Sequence, residues 1–217
     1  MKKQFFLSLL ITATFAACNS TPKGDKASTT ETQTVVATSG NKYITDSNSI
    51  VGFTGNGVGK NHPGTFKISE GKISVTDGKV SAGTFTIDVK GLSLSQQAEM
   101  IQTKLKSHLL SADFFDAEKF PTAKFEITKV EEYKPNGEKT VVEGANALVS
   151  GNLTLKGNTK NVTFPANIAV SENEIAAKAN FNIDRTQWNI NYGSDKSLKD
   201  KFISPEVNIT LDIKAKK

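Results

Sequence analysis

The chain has 217 residues, of which 37% are hydrophobic and 23% are charged, with a formal net charge of +5 at pH 7. This composition is typical of a folded protein with one domain-sized core. The lysines are scattered among acids and form no basic stripe with interleaved aromatic residues, so we expect no nucleic-acid partner. A single cysteine excludes an internal disulfide bond.

The N-terminal region predicts export. Lys2 and Lys3 precede an apolar stretch over residues 5–15 that is too short to span a bilayer stably. Small residues then precede Cys18, an arrangement that resembles a bacterial lipobox, in which the cysteine is acylated after cleavage. We therefore predict a lipoprotein signal peptide over residues 1–17 and lipidation of Cys18. The alternative is an ordinary secretory signal with an incidental cysteine.

Residues 18–39 are predicted to be the lipidated cysteine and a flexible tether. Ser, Thr and Lys dominate this segment, and too few large apolar residues are present to offset the entropy of ordering it. Asn19, rather than Asp, follows the cysteine, which by resemblance to enterobacterial sorting favours the outer membrane. The expected location is the cell envelope, with the protein lipid-anchored at the outer membrane and facing the periplasm. Residues 40–217 have the length of one domain.

Within this domain, apolar and polar residues alternate, which predicts antiparallel strands with one apolar face and one wet face. Asn180, Asn182 and Asn208 fall on the polar faces of the last two strands. The apolar positions of the clearest strands are Phe85, Ile87, Val89, Phe125, Ile127, Ala177, Ala179, Phe181, Ile183, Val207, Ile209, Leu211 and Ile213.

One helix and several turns interrupt the strand pattern. Apolar residues recur at helical spacing over residues 95–109, where Ser95 can cap the helix. Gly-containing turns are predicted at Glu70-Gly71 and Asp77-Gly78. Antiparallel strands with one apolar face close into a barrel or a two-sheet sandwich. A barrel of about eight strands either fills with side chains or holds one small ligand.

The stretch over residues 104–127 joins the helix to the next strand and concentrates large apolar residues between acids. Its sequence resembles the signature of the YceI-like family. The residues that carry this resemblance are His108, Leu109, Ser111, Asp113, Phe114, Phe115, Asp116, Pro121 and Phe125. Residues 151–159 and 184–190 match the family as well, and with the opening strand the resemblance covers nearly everything after Gly40.

The resemblance implies an all-β, antiparallel, lipocalin-like barrel of about eight strands with one inserted helix, whose lumen takes a long isoprenoid chain. The resemblance leads us to expect a homodimer. The residues themselves favour no enzyme activity, no catalytic residue, no metal and no cofactor, because the only histidines are His62 and His108 and the only cysteine is assigned to the anchor. The expected partner is an isoprenoid, a quinone-like molecule or another apolar lipid. The candidate lumen residues are Phe85, Ile87, Leu109, Phe114, Phe115, Phe125, Phe181, Ile183 and Arg185.

Two clusters near the helix exit could carry chemistry. His108, Ser111 and Asp113 have the residue types of a catalytic triad, but no strained nucleophile turn is recognisable, so we predict a hydrogen-bonded structural histidine. Asp113, Asp116 and Glu118 could serve as calcium ligands. Their spacing does not fit an EF-hand loop, and we predict that they cap and solvate a turn.

Asp184 and Arg185 are adjacent, and on a strand their side chains would face opposite sides. An inward-facing member of this pair would need a partner. Two roles stay open for Arg185: closing the barrel through an ion pair or hydrogen bonds, or holding an anionic or quinone head group.

We therefore predict a non-catalytic protein that carries or sequesters a long-chain isoprenoid, or a similar apolar lipid, in a barrel lumen at the bacterial cell envelope. The alternative is a barrel filled by side chains that acts as a structural or stress-related interaction module without a lipid ligand. A weak hydrolase that depends on His108 is a third alternative.

Overall fold

The computed structural model describes residues 22–57, 60–95, 98–135 and 140–217. The predicted signal peptide and Cys18 lie outside these ranges. The strands that the structure describes are β1 Asp25–Lys26, β2 Ser28–Thr30, β3 Asn41–Thr45, β4 Ile50–Gly57, β5 Lys60–Thr76, β6 Lys79–Leu94, β7 Thr122–Glu132, β8 Ala147–Leu155, β9 Asn158–Val170, β10 Glu174–Asp184 and β11 Glu206–Lys216. The helical segments are the α-helix α1 Glu99–Leu110 and the 3₁₀ segments Arg185–Trp188 and Lys196–Lys201.

The strands form a closed antiparallel barrel. Consecutive strands pair from β4 to β11, and β11 returns to pair with β4, so that β4 to β11 form a ring of eight strands in the described part of the chain. The short strand β3 lies beside β4 and pairs with both β5 and β11. The predicted antiparallel barrel of about eight strands with one inserted helix is therefore confirmed.

Strand alternation separates the inside of the barrel from the outside. On β10, for example, every second side chain faces the lumen, and the inward-facing residues are Ile175, Ala177, Ala179, Phe181 and Ile183. The largest buried cluster of apolar residues lines this interior and draws on strands from all around the ring. Each fully buried Val, Leu, Ile or Phe side chain contributes about 1.5–3 kcal/mol, so this inner face supplies much of the driving force for closure.

The helix α1 begins later than predicted. Ala98 occupies its N-cap position without a side-chain cap, and the amide of Ser95 donates to the carbonyl of Pro63 at 3.2 Å. Ser95 therefore extends the pairing between β5 and β6, which explains why it does not cap the helix. The helix has no fully buried residue. Among the described residues, no helix combines the length and the hydropathy needed to cross a bilayer.

The two predicted turns have different outcomes. Asp77 and Gly78 connect β5 to β6 with φ angles of 52° and 72°, as a tight hairpin turn requires. The turn predicted at Glu70-Gly71 is wrong. Both residues lie inside β5, beside a register shift between Ile68 and Glu70 against β6. A bulge bends the long strand there without ending it.

The segment predicted to be a flexible tether is part of the barrel wall over residues 25–30. Strand β1 pairs in parallel with β10, and β2 pairs antiparallel with β9. Composition gave the wrong prediction because backbone pairing needs no large apolar side chains. The segment also covers polar positions that were predicted to be wet: Asn182 and Asn208 are only 9% and 3% exposed.

Candidate functional site

The barrel lumen contains a cavity of about 490 Å³. Its wall is formed by the inward-facing side chains of β4 to β11, closed on one side by α1 and the segment that follows it. Ligand pockets typically measure about 300–1,000 Å³ and are mostly apolar, so this lumen has the size and chemistry of a binding site. The nine residues predicted to line the lumen all lie on its wall: Phe85, Ile87, Leu109, Phe114, Phe115, Phe125, Phe181, Ile183 and Arg185.

Four phenylalanines form a row across one side of the lumen. Phe164 and Phe181 stack with ring centroids 4.0 Å apart, Phe125 lies 5.9 Å from Phe164, and Phe85 lies 6.4 Å from Phe125. Aromatic pairs at these separations attract one another and present flat apolar faces. The row offers a continuous contact surface without a hydrogen-bonding group.

Phe53 and Phe66 are among the lumen residues that sequence reasoning missed. Their rings lie 5.2 Å apart, and Phe66 contacts Phe115 edge-on at 5.4 Å. The sequence feature that could have indicated Phe53 is Gly64, which faces it on the neighbouring strand. A Cβ at Gly64 would lie 2.5 Å from the Phe53 ring, so only glycine leaves the space that this ring occupies.

Arg185 lies at the polar end of the lumen and is only 5% exposed. Its Nε donates to the carbonyl of Ser204 at 3.0 Å, and its Nη1 donates to that of Ile190 at 2.6 Å. Its Nη2 donates to the carbonyls of Tyr192 and Ile203, both at 2.9 Å. One side chain therefore holds together the irregular segment that connects β10 to β11.

The charge of Arg185 has no ion-pair partner among the described residues. Burial lowers the pKa of the guanidinium, and the nearby charge of Asp184 opposes that shift. The face of the Phe114 ring lies 5.7 Å from the guanidinium carbon, a cation–π distance. Of the two predicted roles, these hydrogen bonds correspond to the first, but they hold the segment between β10 and β11, whereas strand pairing closes the ring.

Asp184 is exposed and Arg185 is buried, so one member of the pair faces inward as predicted, but a strand through both residues does not cause this. β10 ends at Asp184, and Arg185 begins a 3₁₀ turn. The Asp184 carboxylate caps that turn by accepting from the amide of Thr186 at 2.9 Å. The turn lets the Arg185 side chain reach carbonyls of the segment that precedes β11, which alternation along a strand could not predict.

His108 is held by hydrogen bonding at the end of α1. Its Nε2 lies 3.0 Å from Asp113 Oδ2, and its ring contacts those of Phe114 and Tyr192 edge-on at 5.1 and 4.7 Å. The Ser111 hydroxyl donates to the His108 carbonyl at 2.7 Å and not to the imidazole. These three residues therefore form a helix-end motif and do not have the geometry of a catalytic triad.

The carboxylates that could serve as calcium ligands by residue type have other partners. Asp116 lies 3.4 Å from Lys119, and Glu118 lies 3.1 Å from Lys90. In the described ranges, no three His, Cys, Asp or Glu side chains come close enough together to hold a metal ion. The predicted role in a solvated turn fits these contacts.

Comparison with known proteins identifies related sequences. A family model for the YceI-like domain matches residues 43–215. A UPF0312 protein of Pseudomonas putida (strain W619) is 43% identical over 104 residues, which cover 48% of this chain and 47% of that protein. A UPF0312 protein of Pseudomonas aeruginosa (strain LESB58) is 38% identical over 94 residues, which cover 40% of this chain and 44% of that protein. The chain thus spans about half the length of these relatives.

Solved structures share the fold at low sequence identity. BcnA of Burkholderia cenocepacia has a TM-score of 0.58 and 22% identity, covering 76% of this chain and 95% of that one. A polyisoprenoid-binding domain of Saccharophagus degradans, implicated in plant cell wall breakdown, has a TM-score of 0.58 and 13% identity over 81% of this chain and 97% of that one. A Campylobacter jejuni YceI protein has a TM-score of 0.51 and 15% identity over 100% of this chain and 99% of that one.

Proposed function

This chain belongs to the YceI-like family, and we propose that its barrel binds a long-chain isoprenoid, or a similar apolar lipid, without catalysing a reaction. The cavity of about 490 Å³ is the observation that carries the proposal. A cavity of this size with mostly apolar walls is typical of a ligand site, and a bound apolar chain would remove those walls from water.

The shape of the lining favours an extended apolar chain over a compact polar ligand. The phenylalanine row gives unbroken apolar contact, whereas polar groups gather near Arg185 and Tyr192 at one end. A chain that buries about 400 Å² gains roughly 10 kcal/mol at ~25 cal/mol per Å², before the costs of association and ordering. The polyisoprenoid-binding domain of Saccharophagus degradans, which shares the fold, supports this class of ligand.

The other two functions considered have less support. A structural module with a filled barrel requires side chains to occupy the lumen, and here they leave a large cavity. A hydrolase that uses His108 requires a nucleophile beside the imidazole, and the Ser111 hydroxyl is directed to a carbonyl instead.

The proposed setting is the cell envelope, where the protein would carry or sequester its ligand. We propose that Cys18 is lipidated, with the barrel at the outer membrane and facing the periplasm. The Pro22 carbonyl is hydrogen-bonded to Asn182 of the barrel, and the four positions from Cys18 to Pro22 span at most about 14 Å, so the barrel would lie close to the bilayer. In membrane fractionation, Cys18→Ala should move the protein to the soluble fraction, and retention in the membrane would refute the anchor.

A homodimer is also proposed, by family resemblance. Sedimentation of the Cys18→Ala protein distinguishes a dimer from a monomer. A single monomeric species over a wide range of concentration would remove this part of the proposal.

The ligand proposal is tested by native mass spectrometry of the Cys18→Ala chain purified gently from its own host. We expect a discrete adduct that organic solvent releases as a prenyl lipid or quinone. Ala166→Phe adds a ring inside the lumen and should abolish the adduct, because Ala166 is 3% exposed and lines the cavity. Ala169→Phe makes the same substitution at an exposed position of β9 and should keep the adduct.

Two results would contradict the proposal. One is a clean apo mass that stays unchanged after quinones and polyprenyl alcohols are added. The other is equal adduct occupancy in Ala166→Phe and Ala169→Phe, which would place the bound molecule outside the lumen.

A further inference from the structure

The wall of the barrel contains a cleft between β9 and β10. These strands pair directly only from Ala166 with Ala179 to Val170 with Ile175. Beyond that point, residues 25–30 lie between them. Strand β1 pairs with Phe181 and Asn182 of β10, and β2 pairs with residues 161–163 of β9. The wall between β9 and β10 is therefore completed by residues 25–30, which lie far from both strands in the sequence.

The inserted segment reaches the interior through Ala27. The amide of Ala27 donates to the carbonyl of Asn182 at 3.1 Å, and the Ala27 side chain is 9% exposed and belongs to the main apolar cluster. On either side of it, Phe164 and Phe181 line the lumen. The segment is thus a part of the wall and not a strap lying over a wall that is already complete.

Asparagine side chains on the outer face hold the start of the segment. Asn208 Nδ2 donates to Oδ1 of Asn180 at 2.8 Å and to Oδ1 of Asn182 at 2.7 Å. Asn182 Nδ2 in turn donates to the carbonyl of Pro22 at 3.4 Å. Gly24 lies directly over this group, and a Cβ there would come within 2.5 Å of Asn208 Nδ2. A larger residue at this position would therefore displace the side-chain amides of the cluster.

A second asparagine holds the other end of the segment. Asn152 Oδ1 accepts from the amide of Gln33 at 3.0 Å, and Asn152 Nδ2 donates to the carbonyl of Gln33 at 2.7 Å. The side-chain amide thus pairs with the segment as a neighbouring strand would. Asn161 Nδ2 donates to Asn152 Oδ1 at 3.0 Å and fixes the orientation of that amide. Both ends of the cleft recognise backbone, which is the chemistry of a strand-binding site.

The segment is held more weakly than any full strand of the ring. β1 and β2 pair over two and three residues, whereas β10 pairs with β11 over its whole length from Glu174 to Asp184. Ala27 is the only buried residue between Pro22 and Gly40, and it is small. Segments with few buried apolar contacts open at the lowest free energies, so residues 25–30 should leave the wall before any other strand.

We propose that the cleft between β9 and β10 is a strand-binding site that residues 25–30 occupy reversibly, and that their release opens a lateral passage for an apolar ligand. The flanks of this passage are apolar on the lumen side, where Val162, Phe164, Phe181 and Ile183 lie. The rings of Phe164 and Phe181 stack across it with centroids 4.0 Å apart, so the passage opens when these rings separate after the segment has left. The end of the barrel instead presents His62, Lys201 and Arg185 to an entering chain. The passage rests on the proposed lipid ligand, whereas the strand-binding site does not.

A reversible cross-link tests the passage. Ser28 and Thr163 face each other across the β2–β9 pair, and facing residues of antiparallel strands have Cα separations that a disulfide can bridge. Ser28→Cys with Thr163→Cys, in the Cys18→Ala chain, locks the segment when oxidised. The matched control is Thr86→Cys with Lys124→Cys, a facing pair on β6 and β7 away from the cleft.

The probe is all-trans-retinol, an isoprenoid alcohol, delivered from phosphatidylcholine vesicles and followed by its fluorescence. We expect oxidation of the lock to slow uptake and release by about tenfold or more, with unchanged affinity and with recovery after reduction. The control disulfide should leave both rates unchanged. Equal rates for the oxidised and reduced lock would overturn the lateral passage.

Hydrogen exchange tests the strand-binding site without a ligand. The amides of residues 25–30 should exchange about a hundredfold faster than those of β10 paired with β11, and the oxidised lock should abolish this difference. Exchange as slow as in β10 would overturn reversible release, even if retinol binds. Absence of retinol binding in every variant, with fast exchange in residues 25–30, would instead refute the proposed function and leave the strand-binding site supported.

Discussion

The inner and outer faces of β9 and β10 are both buried, but apolar contact dominates the inner face and hydrogen bonding dominates the outer face. On the inner face, Phe164 and Phe181 present flat rings to a cavity and exclude water. On the outer face, Asn161 and Asn182 are almost as well buried, but their partners are polar: Asn161 donates to Asn152 Oδ1 and Asn182 donates to the carbonyl of Pro22. Alternation along a strand thus separates two binding surfaces rather than a buried face from a wet one.

The two faces differ in selectivity for the same reason. Apolar contact is non-directional and roughly proportional to the buried area, so the lumen can accept a range of chain lengths. Hydrogen bonds to buried amides require each partner to be in place, since an unpaired buried group costs about 1–3 kcal/mol. The outer cleft should therefore discriminate among segments much more sharply than the lumen discriminates among lipids.

The largest effect on stability is expected at Arg185, whose hydrogen bonds hold the segment at one end of the lumen. Arg185→Met keeps an apolar stem but leaves four carbonyls without their donor, so we expect a loss of about 3–5 kcal/mol in the free energy of unfolding. Urea denaturation measures this. Lys201→Met, an exposed cation that also borders the lumen, should change stability by less than about 0.5 kcal/mol. A similar small change in Arg185→Met would show that these bonds do not hold the loop.

A smaller, local effect is expected on the outer face. Asn208→Ala removes a donor that is 3% exposed and that bonds to Asn180 and Asn182, so we expect a cost of about 1–3 kcal/mol. The loss should appear first as faster hydrogen exchange in residues 22–33, while retinol affinity stays unchanged. Asn173→Ala, at an exposed turn, is the control. Unaltered protection of residues 22–33 in Asn208→Ala would separate the asparagine cluster from the docking of the segment.

The smallest effect is expected at the rim of the outer cleft. Lys160 Nζ lies 2.6 Å from Glu31 Oε1, but the Glu31 side chain is 85% exposed. Exposed ion pairs contribute about 0–1 kcal/mol, and salt screens them. Glu31→Gln should leave the melting temperature within error and alter exchange in β2 only at low salt. A large effect at high salt would mean that charge, and not backbone pairing, holds the segment.

Sequence reasoning predicted the features that depend on periodicity and missed those that depend on specific partners. Alternation identified inward residues such as Phe125 and Ile183 because burial selects apolar side chains at every second position. The partners of Arg185 are backbone carbonyls of an irregular segment, and no pattern of side chains encodes them. The sequence did not predict that residues 25–30 form part of the wall for a related reason. A strand of two residues, such as β1, is too short to show an alternating pattern.

The distance along the chain between the inserted segment and its cleft has a consequence for folding order. Gln33 and Asn152 are separated by 119 positions in the sequence. During synthesis, residues 25–30 emerge long before β9 and β10 exist, so this contact can form only after nearly the whole domain is available. Residues 25–30 therefore stay unpaired with the wall until β9 and β10 have been made. Their insertion belongs to the late steps of folding.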